Sequence, residues 1–265
     1  MLAILLYAAD VGGRLWRFDL NQSSDVFATG GVIADINDSE SSGIGANRRF
    51  YNNPDVSYME DAAEPFLMIS IGSGYRAHPL STDVSDSIFL IKDIHGLNGA
   101  PSTYIKRNKS DLVDWTSAEA TDPEKSANGW FLDLNQSGEK VLASTLTLNG
   151  VVMINTFAPT SELDPNQCSG NLGQSYSYQL LVAPNLYDKV TKGDNESTIT
   201  IPGRTPPRTG PVDRLIAPPE LGGFPTATGG GDCEDAKAVV LSGTTMRQGP
   251  LDSCDMLQNS YWEEE

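Results

Sequence analysis

The stretch YAADVGGRLWRFDL, Tyr7 to Leu20, decides the fold. An apolar strand runs into Asp10-Val11-Gly12-Gly13, where glycines accept the positive φ of a tight turn. After the turn the side chains alternate. Leu15, Arg17 and Asp19 point one way; Trp16, Phe18 and Leu20 point the other. The Trp16, Phe18 and Leu20 face is the one expected to be buried. A lone hairpin hides too little apolar surface to stand by itself, so further sheets are required.

The same scheme recurs downstream. PFLMISIGSG (65–74) is an apolar strand closed by a Gly-Ser-Gly turn, and SIFLIKD (87–93) is a near-continuous apolar strand. Residues 129–157 read as three strands, separated by turns at Asn135-Gln136-Ser137-Gly138 and Asn149-Gly150. YSYQLLV (176–182) alternates again, while STITIP (197–202) and KAVVLSG (237–243) are weaker candidates. Glycine (25) and proline (16) are abundant and helical periodicity is missing, so the fold class is all-β. GRLWRFDL, SIFLIKD and YSYQLLV resemble one another, which favours a β-propeller over a sandwich or a barrel.

About nine to eleven strands, at four per blade, make two to three blades, where propellers have about four to eight. The expectation is therefore a C-terminal partial set of blades of a larger propeller, or a closure with fewer blades. Blades are expected over 1–186, with long insertions at about 35–64 and 98–129. Residues 187–265 read as a Pro/Gly-rich extended tail that returns to the propeller and ends at Trp262. SDLVDWTSAEA, within the second insertion, has room for a helical turn.

A formal charge of -17 argues against nucleic acid and anionic membrane surfaces as partners. Three cysteines cannot make a disulfide scaffold. Cys233 and Cys254 are a candidate pair in one Gly- and Asp-rich tail, with Cys168 left over. The opening MLAILLYAAD lacks a basic n-region and is too short to span a bilayer. It reads as a strand entered partway, in a protein that continues upstream.

Catalytic signatures are missing. His78 and His95 are the only histidines, and both read as surface-loop residues. No nucleophile elbow, zinc helix, phosphate loop or dinucleotide fingerprint occurs. Carboxylate pairs are plentiful, but nothing selects one. Trp16, Trp130 and Trp262 read as packing residues, whereas Trp115 is the most exposable tryptophan. Arg48 and Arg49, with Phe50 and Tyr51, form a basic-aromatic patch. Arg48, Arg49, Tyr51 and Trp115 are thus the candidate partner contacts, carried on loops of a rigid scaffold.

YAADVGGRLWRFDL, ISIGSGYRAHPLSTDVSDSIFLIKD, GWFLDLNQSGEKVLA and NSYWEEE, in this order, resemble the C-terminal β-propeller domain of the PilY/PilC family of type IV pilus tip proteins. The resemblance spans Tyr7 to about Tyr178 and returns at Ser260 to Trp262. It implies a modified seven-bladed propeller, exported to the cell surface, pilus tip and outer membrane. It implies minor pilins as partners, adhesion to host-cell or abiotic surfaces, and no catalytic step. Many members carry a calcium loop; here it would lie upstream of Tyr7. No calcium ligand is assigned among these residues, and the run Asp35 to Glu40 lacks the glycine and distal glutamate of a calcium loop. Two rival readings are a quinone-dependent dehydrogenase propeller, to be tested by cofactor absorbance, and a secreted carbohydrate-binding or carbohydrate-processing propeller, to be tested on a glycan array.

Overall fold

The computed structural model describes residues 4–21, 25–37, 43–59, 65–116, 128–148, 150–159 and 173–182, with the strand segments 220–221, 237–242 and 245–252. Among these residues the regular structure is β-sheet, with two single-turn 3₁₀ helices at Ile44–Ala46 and Lys109–Asp111.

Four sheets form. The first contains β1 (Ile4–Ala9), β2 (Arg14–Leu20) and β3 (Ala28–Asp35) in that order. The second contains β4 (Asp55–Met59), β5 (Phe66–Gly72), β6 (Ser87–Asp93), β7 (Val113–Asp114) and β8 (Gly129–Asp133), in the order β4-β5-β6-β8-β7. Only the β7–β8 pairing is parallel. The third contains β9 (Lys140–Val141), β10 (Leu146–Leu148), β11 (Val151–Pro159) and β12 (Gly173–Leu181). There β9 and β10 share one edge of β11, with β12 on the other. The fourth contains β13 (Glu220–Leu221), β14 (Lys237–Ser242) and β15 (Thr245–Asp252).

The second sheet is packed on both faces. Phe66, Met68, Ile88, Leu90, Trp130 and Leu132 meet Val141, Val152, Ile154 and Leu180 of the third sheet. Ile69, Ile71, Phe89 and Ile91 meet Leu15 and Ile33 of the first. Alternate residues of one strand serve opposite neighbours, so β6 is buried at every position. A continuous apolar run is what a strand without a wet side needs. The second and third sheets approach closely at Gly72, where an added Cβ would stand 2.3 Å from Val141.

The contact between the first and second sheets carries charge. Arg17 of β2 donates from Nη1 to both Asp93 carboxylate oxygens, at 3.2 and 3.0 Å, and from Nη2 to Asp19 at 2.6 Å. Tyr7 donates to Asp93 at 2.7 Å. Burial, and then the Asp93 charge, push the Tyr7 phenol well above its ordinary range. This corrects the expected face of the opening hairpin. Leu15, Arg17 and Asp19 are buried, while Trp16, Phe18 and Leu20 are only partly so. Asp93 supplies the reason, because it draws Arg17 inward. On the other face, Leu6 lies opposite Phe18 and remains 52% exposed.

The two long insertions also contain strands. Residues 35–64 include β4, and 98–129 include β7. β3, ATGGVIAD, is not among the expected strands, because two glycines in its middle weaken the strand pattern. The 3₁₀ turn at Lys109–Asp111 lies just ahead of and into SDLVDWTSAEA. STITIP falls outside the described residues, and KAVVLSG contains β14.

Because both faces of β6 are packed, Phe89→Ala and Leu90→Ala should each destabilise the protein in urea, by about 3–5 and 2–5 kcal/mol respectively. Leu6→Ala, on the open face, should change stability by less than about 1 kcal/mol.

Candidate functional site

The strand registers gather several loops at one end of the stacked sheets. Ala9 pairs with Leu15, and Arg14 with Asp35. Gly72 pairs with Ile88, and Ser87 with Asp133. The β1–β2 turn, the segment after β3, the β5–β6 loop and the β8–β9 turn therefore share that end. Backbone bonds stitch them together. The Phe50 amide donates to the Asp10 carbonyl at 3.3 Å, Gly74 to Arg49 at 3.0 Å, Ser85 to Gly45 at 3.0 Å and Val141 to Ser73 at 2.9 Å.

Lys140 fixes the β5–β6 loop from beneath. Its ammonium donates to the carbonyls of Pro79 at 2.9 Å, Ser81 at 2.8 Å and Gly138. All three protons of a buried ammonium are thereby accepted by backbone. Burial lowers the Lys140 pKa, and Asp86 opposes that shift. Asp86 is itself buried. Ser73 donates to its Oδ1 at 2.7 Å, while Oδ2 has no hydrogen-bond partner among the described residues. Burial pushes the Asp86 carboxyl up to about 6, against the Ser73 hydrogen bond and the charges of Lys140, Arg48 and Arg49.

Above this base the segment 48–51 is extended, and its side chains divide. Arg48 turns inward, is 3% exposed, and donates from Nε to Ser87 Oγ at 3.1 Å. Arg49 turns outward, with its guanidinium 4.0 Å from the Tyr75 ring centroid. The His78 ring lies 4.7 Å from that of Tyr75. Tyr51 is 37% exposed and Leu80 50%. His78 and Arg76 are exposed. The result is a cationic and aromatic platform on an immobilised loop.

The four sequence candidates therefore separate. Arg49 and Tyr51 reach the surface. Arg48 does not, because its guanidinium serves the interior beside Ser87. Trp115 does not either, being 4% exposed. Its amide donates to the Phe131 carbonyl at 2.7 Å, and its ring lies 5.8 Å from that of Trp130. The segment ahead of it joins β8 as a parallel edge strand, and this carries the indole into the core. Cys233 and Cys254 lie outside the described residues. Sequence reasoning overlooked Tyr75, Arg76 and Leu80, although GYRAHPL follows directly on a strand-ending turn.

At the opposite end, the loop after β6 is held by the buried Arg17 group. Arg17 donates to the Gly99 carbonyl at 2.9 Å and Tyr104 to Asp19 at 2.7 Å. His95 is exposed there. Among the described residues, no group of three His, Cys, Asp or Glu side chains could hold a metal ion.

The structure is similar to that of the PilY1 C-terminal domain of Pseudomonas aeruginosa. The TM-score is 0.56 and the identity 16%, over 92% of this chain and 58% of that one. This is an all-β, propeller-like fold. The chain spans a little over half the length of the domain it matches. No family model and no curated protein sequence matches it.

Asp86 yields a pH prediction. Its folded pKa lies near 6 and its unfolded value near the ordinary 3.8. Between those values only the folded state holds the proton, so this group adds stability as pH falls from about 6 towards 4 and withdraws it as pH rises. Urea midpoints measured at pH 7 and pH 5 should show a gain on acidification, and Asp86→Asn should diminish that gain.

Proposed function

We propose that the chain is a non-catalytic type IV pilus biogenesis and adhesion module, exported and acting at the pilus tip. Stacked sheets hold loops rigid, and the loops meet minor pilins and, beyond them, a host-cell or abiotic surface. The observation that carries this reading is the likeness of the fold to the PilY1 C-terminal domain across 92% of the chain. The ordered resemblance from YAADVGGRLWRFDL onward points the same way. The mechanism is recognition by pre-positioned groups, which lowers the entropic cost of association. The platform around Arg49 and Tyr75 is built in this manner, because Lys140 and the interloop bonds fix its backbone before any partner arrives.

Calcium enters this reading only through a loop upstream of Tyr7. None of the residues described above is given a role in holding it.

The test is capture. The purified chain, immobilised, should retain minor pilins of its own organism from solubilised pilus fractions and should not retain the major pilin to the same degree. Retention of no pilin would contradict the proposal.

A further inference from the structure

The distribution of positive charge singles out one surface. Of the lysines and arginines whose side chains are described, Arg17, Arg48, Lys92, Arg107, Lys109 and Lys140 are buried. Arg14 is paired with Asp10 at 3.0 Å, and Lys106 is also engaged. Arg49 and Arg76 remain. Each reaches solvent, and neither has an ion-pair partner among the described residues.

These two are neighbours. The Gly74 amide bonds the Arg49 carbonyl at 3.0 Å, and the Arg76 amide bonds the Gly74 carbonyl at 3.0 Å. Tyr75 stands between them under the Arg49 guanidinium. His78, whose ring lies 4.7 Å from that of Tyr75, is exposed, and so are Tyr51 and Leu80 on the same two segments. An arginine held against an aromatic face keeps its donor fork free and pre-oriented, and that fork matches a carboxylate.

We infer that Arg49, Tyr75, Arg76 and His78 form a docking site for a short acidic peptide segment of a protein partner. The inference rests on the proposed function for its setting and adds the chemistry of the partner. The size of the positive island decides between a peptide and a polyanion. The chain as a whole carries a formal charge of -17. Screening at physiological salt extends over about 8 Å. Two arginine forks can meet the carboxylates of a segment that carries two or three of them. A long polyanion would run beyond the island onto a surface that repels it. Tyr51 and Leu80 supply the apolar contact that a peptide side chain uses and a sulfated or uronic polysaccharide does not.

The test employs the full chain and a fluorescein-labelled synthetic peptide of four glutamates flanking a leucine. A second peptide carries glutamine in place of glutamate, and heparin serves as the polyanion. Anisotropy titrations should show the glutamate peptide binding about tenfold more tightly than the glutamine peptide, and more weakly at 300 mM than at 50 mM salt. The double variant Arg49→Glu with Arg76→Glu should lose that advantage while still unfolding in one cooperative urea transition, and Arg49→Gln with Arg76→Gln, which brings no new negative charge beside Asp86, should lose it too. Arg49→Lys should retain part of it. Equal binding of the two peptides, or an undiminished advantage in the double variant, would overturn the inference. So would heparin binding more tightly than the peptide. Pilin capture separates the two levels. If wild type and double variant retain minor pilins equally, this site is wrong and the pilus reading stands. If no pilin is retained but the glutamate peptide binds at the site, the pilus reading is wrong and the site stands.

Discussion

The second sheet is covered on both faces, and every residue of β6 is buried as a result. That constraint shapes the rest of the molecule. A sheet between two neighbours has no solvent side to absorb polar residues, so its buried polar groups turn to partners within the protein, several of them on the adjoining sheets. Asp93 finds Arg17 and Tyr7. Ser70 finds Thr145 and Thr147, with oxygens 3.3 and 3.2 Å apart. These cross-sheet bonds fix the lateral position of one sheet on the next, which apolar contact alone specifies weakly. Removing one partner would leave its mate buried and unpaired, so such bonds serve register more surely than net stability.

The same stacking explains the loop end. Sheets laid face to face bring their connecting segments side by side, and buried cations then tie those segments down. Lys140 holds the β5–β6 loop through the Pro79 and Ser81 carbonyls and the β8–β9 turn through that of Gly138, and Arg48 reaches Ser87 at the start of β6. The interior thus takes up most of the positive charge whose side chains are described. What remains outside is sparse and local, standing on an otherwise acidic surface.

Much of the fold is legible in the residues. SIFLIKD reads as a strand without a wet side, and it is one. The Asn-Gly signal points to a turn, and Gly150 stands between β10 and β11 with φ +77°. Other parts are hidden for physical reasons. The face of β2 is decided by Asp93, which lies 76 residues from Arg17, and alternation alone reports two faces without saying which one meets a charged partner. Trp115 directly follows a two-residue strand whose existence depends on β8 being there to receive it. The candidate site is half legible. RRFY names the right segment, but an extended chain sends Arg48 and Arg49 to opposite sides, and only the neighbour Ser87 shows which goes in. Tyr75 meets Arg49 because the Gly74 amide bonds the Arg49 carbonyl between two loops, which no local pattern reports.

Hydrogen exchange followed by mass spectrometry under native conditions tests the stacked arrangement most directly. Exchange protection follows burial and local opening energy. With the second sheet enclosed between the first and third, the amides of Ile88 to Lys92 and Trp130 to Leu132 should be the slowest of the described strands. Those of Leu5 to Ala8, on an edge with an open outer face, should exchange markedly faster. Exchange of Ile88 to Lys92 as fast as that of Leu5 to Ala8 would contradict the account.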